Sequence, residues 1–219
     1  MHKPTVLFAV ACAALPAGCS SGEASQQTAN IAKVAEVNSS FGPEFTVTEV
    51  PMTGIDPKML AAQKLPEGLK FEPADCAKFA VGPQFPAEIK GNMTALSAEG
   101  AGNRFITIAL ETSEPIPVTE AGDNCKKVSF AGGAVRGTVE VVPAPQIPDV
   151  ETQAVHRVLQ TTINGTPQTG EIYSYRANFG NYQVIVTANP LVVPGQPVAP
   201  VNTKRAESLL AATVAAIKS

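Results

Sequence analysis

Apolar and polar residues alternate with a period of two along much of residues 41–190, and a helical period takes over only near the end of the chain. Side chains on a strand point to opposite faces in turn, so each alternating run predicts a half-buried strand. Phe45–Val50 is the first such run, β-branched and bounded by prolines. Asp56–Gln63 predicts a short helix, with Asp56 as its cap and Pro57 at the first helical position. Leu65–Pro86 holds four prolines, which predicts irregular backbone with a helical turn near Cys76.

Three hairpins follow. Ala95–Ala98 and Phe105–Thr112 flank the loop Gly100–Asn103, with Ile106, Ile108 and Leu110 on one face. Lys126–Ala131 and Ala134–Val142 flank Gly132-Gly133, read as a two-residue turn that pairs Phe130 with Val135 and Val128 with Gly137. Gly180-Asn181 sets the clearest register. It pairs Phe179 with Tyr182, Ala177 with Val184 and Tyr175 with Val186, while Asn178 faces Gln183 and Ser174 faces Thr187 on the other side. Between the second and third hairpins, Gln153–Ile163 reads as a long strand stopped by Asn164-Gly165.

The chain closes with a helix over 203–218, capped by Asn202 or Thr203. Ala206, Leu209, Leu210, Val214 and Ile217 form its apolar stripe. That stripe matches the face bearing Tyr173, Tyr175, Ala177 and Phe179, so the two are expected to pack together. The fold class is therefore α+β: an antiparallel sheet of hairpins with a C-terminal helix on one face, in a single domain over residues 41–219.

The beginning of the chain has a different character. His2 and Lys3 precede the uncharged apolar run Thr5–Leu15, and Ala17 and Gly18 lead to Cys19. The run is too short for a helix across a ~30 Å hydrocarbon core but suits a signal peptide. Residues 1–18 are thus expected to be removed, and Cys19 to carry a lipid anchor, although Pro16 stands where a lipobox usually has an apolar residue. Residues 19–40 are small and mostly polar and read as a flexible tether. The spacing of Ile31, Val34 and Val37 would allow a weak helix there.

Charge and cysteines narrow the class. Without residues 1–18 the chain has 15 basic and 19 acidic residues, which gives no basic footprint for nucleic acid. With Cys12 removed and Cys19 lipidated, Cys76 and Cys125 remain, and an even pair in an exported protein reads as a disulfide. Closing that loop of about fifty residues stabilises by roughly 4 kcal/mol in the chain-entropy view.

Candidate chemistry is sparse. His156 is the one histidine after residue 18, which excludes a two-histidine zinc site, and it reads as an ordinary satisfied strand residue. No G-x-S-x-G, H-E-x-x-H or P-loop pattern occurs, and Gly100-Ala-Gly102 fails as a dinucleotide fingerprint because Phe105 occupies the third glycine's place. No catalytic residue, metal or cofactor is expected. The candidate binding residues are Tyr173, Tyr175 and Tyr182, which share a face. They make either an aromatic wall for a ligand or core beneath the helix. Arg136 and Arg176 read as solvated. The proline-bearing loops Ser113–Asp123, Pro143–Pro148 and Asn189–Pro200 could rim a cleft.

The lipobox and tether, Ala74-Asp-Cys-Ala77, Asn124-Cys125, Gly137–Val142 and Ala206–Ala212 together resemble mycobacterial cell-envelope lipoproteins related to the extracellular sensor domain of the serine/threonine kinase PknH. The resemblance covers roughly residues 41–219. It implies an antiparallel sheet flanked by helices, a ligand-binding cleft and no enzymatic activity. Members of that group often carry tryptophans and a second disulfide, which this chain lacks. The expectation is a lipid-anchored binding domain on the outer side of the cytoplasmic membrane or the cell surface, partnered by an envelope ligand or protein. The alternative is a structural or accessory lipoprotein with no small-molecule site.

Overall fold

The computed structural model describes residues 29–56, 60, 65–83, 85–86, 89–163 and 165–219. The expected signal peptide, Cys19, most of the Asp56–Gln63 helix and Asn164 lie outside them. Leu60, within that segment, is helical and buried. Among the described residues nine strands form one antiparallel sheet: β1 (Phe45–Gly54), β2 (Lys70–Glu72), β3 (Gly91–Gly100), β4 (Asn103–Thr112), β5 (Lys127–Gly132), β6 (Val135–Val141), β7 (Glu151–Ile163), β8 (Thr166–Phe179) and β9 (Tyr182–Pro190). Their order across the sheet is β1-β3-β4-β9-β8-β7-β6-β5-β2. A short helix α1 (Ala77–Ala80) and the terminal helix α2 (Thr203–Lys218) complete an α+β fold.

The third hairpin has the predicted register throughout, from Phe179 opposite Tyr182 to Ser174 opposite Thr187. Gly180 takes a positive φ of 53° at the first turn position, where a residue with a Cβ is strained. The second hairpin differs from expectation. Its turn is Gly133-Ala134, and Phe130 faces Gly137 while Val128 faces Val139. A Cβ at position 137 would lie 2.6 Å from Phe130 Cζ and 2.0 Å from the Val158 carbonyl oxygen. The ring therefore lies over bare backbone, and that fit selects the register. β1 runs past Val50 through Pro51 to Gly54, with an irregularity between Val50 and Thr53. Proline is tolerated there because β1 is an edge strand.

One face of the sheet is covered by α2. Asn202 caps the helix by accepting the Arg205 amide, and Ala206, Leu209, Leu210, Val214 and Ile217 are all buried against Tyr175, Ala177, Phe179, Val184 and Val186. Part of the segment 19–40, expected to be a flexible tether, is instead packed on the fold. Ile31–Ser40 is a 3-10 helix lying beside α2, and Ile31, Val34 and Val37 are at most 3% exposed. Three residues per turn put positions 31, 34 and 37 on one line, so this spacing buries all three. Asn30 joins the segment to the end of α2 through its amide and the Ile217 carbonyl.

The opposite face has two separate apolar clusters. Leu60, Met93, Ile108, Leu110, Ile116 and Ile185 pack over β3, β4 and β9. Phe79, Cys76, Cys125, Val128, Phe130, Val139 and Val155 pack over β5, β6 and β7. Cys76 and Cys125 are disulfide-bonded, which ties the segment carrying β2 and α1 to the start of β5.

Candidate functional site

Between those two clusters the face opposite α2 turns polar. Strand alternation places Gln153, Val155 and Arg157 of β7 on this face, with Ser174, Arg176 and Asn178 of β8 and Gln183 and Thr187 of β9 beside them. Gln153 faces Arg176 across β7 and β8, and Arg157 faces Ile172. Gln183 faces Asn178 and Thr187 faces Ser174 across β8 and β9. Gln183 and Thr187 are 2% and 1% exposed and make a buried floor, whereas Arg157, Arg176, Gln153 and Asn178 are half-buried and reach the surface.

Local hydrogen bonds hold this band in place. Gln153 accepts from the Arg176 guanidinium through Oε1 and donates from Nε2 to the Thr119 carbonyl at 3.0 Å. Gln183 donates to Asn178 Oδ1 at 2.7 Å, and its own Oε1 is buried without a hydrogen-bond partner among the described residues. Arg157 is also engaged by its surroundings. Burial pulls Arg176 down to about 10, and the nearby charge of Arg157 adds to that shift. Burial lowers Arg157 as well. A guanidinium has five donors, of which a single side-chain bond uses one. The arrangement can therefore bind an acceptor-rich group. At one end of the band a shallow depression of about 350 Å³ opens between the loop after β4 and the β8–β9 turn, lined by Ile116, Val118, Glu120, Glu151 and Asn178.

The three tyrosines lie on the other face and do not form one open wall. Tyr175 is 1% exposed beneath α2, and burial, followed by the charge of Glu207, pushes its hydroxyl up to about 12. Tyr173 is half-buried at the margin of the helix and stacks on His156 with ring centres 4.1 Å apart. Its pKa is raised by burial and then by Glu171 and Glu140. Tyr182 stacks on Phe179 near the turn. His156 is satisfied by Glu171, with Nε2 and Oε2 2.9 Å apart. Arg136 bonds Gln160 on the half of that face which α2 leaves uncovered.

Arg176 corrects the expectation of a solvated side chain: it is half-buried, and its partner Gln153 is bonded to Thr119 in the loop after β4. Gln153, Arg157 and Gln183 carried no motif. Their signal was the pairing across Asn164-Gly165, since counting back from that stop places Gln153 beside Arg176. Among the described residues no group of three or more acidic, histidine or cysteine side chains is placed to hold a metal ion.

The profile of a domain of unknown function, DUF5642, matches residues 30–218. No curated protein matches the chain. The fold is similar to the crystal structure of an uncharacterised protein from Mycobacterium smegmatis, described as the Rv0999 ortholog. The two share 60% identity over 88% of this chain and 98% of the other, with a TM-score of 0.83.

Proposed function

This chain belongs to the DUF5642 family, and from that footing we propose that it is a cell-envelope lipoprotein, anchored through Cys19, whose domain binds a ligand or partner and catalyses nothing. The observation that carries the binding reading is the polar band centred on Arg176. Among the described residues this sheet face carries an apolar cluster at each end, and between them stands the half-buried Arg176 guanidinium, which pairs with no carboxylate of those residues. Desolvating a charge costs several kcal/mol unless a partner offsets it, so this arginine supports a binding role. The signal-like first eighteen residues and the Cys76–Cys125 bond fit an oxidising compartment outside the cytoplasm. Asn30 lies beside the end of α2, on the face opposite the band.

A structural or accessory role is the second reading. The observation favouring it is the polar sheet surface at β5–β7, where Lys127 pairs with Glu140 and Arg136 with Gln160, uncovered by either helix.

Native mass spectrometry of the protein isolated from host membranes in mild detergent tests both readings. The first predicts a chain that lacks residues 1–18, is acylated at Cys19 and carries a bound small molecule, and it predicts that Cys19→Ala moves the protein into the soluble fraction. Unchanged membrane partitioning of Cys19→Ala would contradict the anchor. Co-isolation of another envelope protein with no small molecule would favour the accessory role.

A further inference from the structure

We propose that the half of the sheet face left uncovered by α2 carries a second site, centred on Arg136, for a carboxylate-bearing, polyhydroxylated ligand, the chemistry of an acidic sugar. Cross-strand pairing builds one row from Lys70 of β2 through Ala131, Arg136 and Gln160 to Thr169 of β8. All five share a face, because residues directly opposite each other on paired strands point the same way. A depression of about 410 Å³ opens over this row, lined by Arg136, Gln160, Thr162, Thr169, Pro167 and the short Ala131. It lies on the other side of the sheet from Arg176, so the assignment does not rest on the binding reading given for that band.

The row holds two cations and no carboxylate. Arg136 is exposed and forms no ion pair among the described residues. Lys70, also exposed, stands beyond Ala131, with two strand spacings, about 10 Å, between the backbones. The next row along the face has Glu72 and Glu171 at its two ends, and Glu171 is engaged by His156. An anion over the depression therefore meets positive charge first.

The Arg136 guanidinium is held from one side, where Nε donates to Gln160 Oε1 at 2.9 Å. That bond uses one of five donors and leaves the two Nη groups, which match the two oxygens of a carboxylate as a fork. The Gln160 amide nitrogen and the Thr162 and Thr169 hydroxyls add donors and acceptors around it. An acidic sugar joins one carboxylate to several hydroxyls on a single ring, and so engages the guanidinium and this polar fringe together.

The test follows arginine Nε–Hε and threonine methyl signals by NMR in isotope-labelled protein as glucuronate is added, with acetate and glucose as controls at equal concentration and ionic strength. Glucuronate shifts Arg136 and Thr169 saturably and leaves Arg176 unmoved. Acetate has the charge without the hydroxyls and glucose the hydroxyls without the charge, so each binds about tenfold more weakly or worse. Arg136→Met lowers the glucuronate affinity by about tenfold or more, and Arg136→Lys, which keeps the charge but not the fork, restores only part of it. Because Arg136 is exposed, both variants melt close to wild type.

Equal shifts from acetate and glucuronate reduce Arg136 to a general anion contact and overturn the assignment, as does full recovery in Arg136→Lys. A glutamate-rich peptide that moves the same signals more strongly than glucuronate also overturns it, by making the face a protein-docking surface. Glucuronate shifts at Arg176 instead of Arg136 leave the other band's reading standing while this one falls.

Discussion

Gly137 shows how one residue selects a register. Turn chemistry alone permits either Gly132-Gly133 or Gly133-Ala134, since both offer a glycine for positive φ. The choice is made at Gly137, beyond the turn, where Phe130 needs a position without a Cβ opposite it and Val158 presents its carbonyl to the same point. Gly137→Ala is therefore expected to destabilise by roughly 1–3 kcal/mol, as overpacked sites do, and chemical denaturation will measure it. Tyr175 makes a prediction in pH. Its folded pKa of about 12 lies above its ordinary value of 10.0, so the native state keeps a proton that the unfolded chain releases. This contribution is fully present below pH 10 and is lost as pH rises toward 12. Arg176, shifted down, acts in the opposite sense over the upper part of the same range. Tyr175→Phe isolates the tyrosine contribution: its stability should fall less than wild type between pH 9 and 11.5, and parallel curves would contradict the assigned burial. Neither pKa shift was legible in the sequence, because each depends on what covers the strand.

The elements with a single strong period were the legible ones. The stripe of α2, the Gly180-Asn181 hairpin and the long β7 strand each follow from spacing, and they pack as that spacing requires. Leu210 sits at the centre of this contact with no exposure. Leu210→Ala should cost roughly 2–5 kcal/mol, a large share of a typical margin of 5–15, and a melting midpoint within a degree of wild type would mean that the helix packs elsewhere. The 3-10 helix at Ile31–Ser40 was harder to read. Its composition is that of a tether, and three apolar residues at a spacing of three look too few for an α-helix stripe, yet that spacing is the repeat of a 3-10 turn. β2 was missed for a simpler reason. Three residues between prolines carry no periodicity, and they become a strand only because β5 offers a free edge.

On the scale of the whole molecule, one sheet serves two purposes. The side under α2 closes the core, and the other side carries, among the described residues, two apolar clusters. The cysteine pair was legible from its count. Replacing both residues with serine should cost roughly 2–4 kcal/mol, less if the unlinked unfolded chain stays compact, and the loss should disappear when wild type is compared under reducing conditions. The polar band could not be read from either strand alone. Arg176 read as solvated and Arg157 carried no signal of its own, and only the pairing of β7 with β8 brings them onto one surface. The central claim is that this surface, rather than the tyrosine face, receives the ligand. The most direct measurement is an NMR titration of the arginine Nε–Hε signals in isotope-labelled protein with the small molecule that co-isolates with it. The account predicts saturable shifts at Arg176, with Arg136 and Arg205 unmoved. Shifts confined to residues around Tyr173 and Tyr182, with both band arginines unchanged, would contradict it.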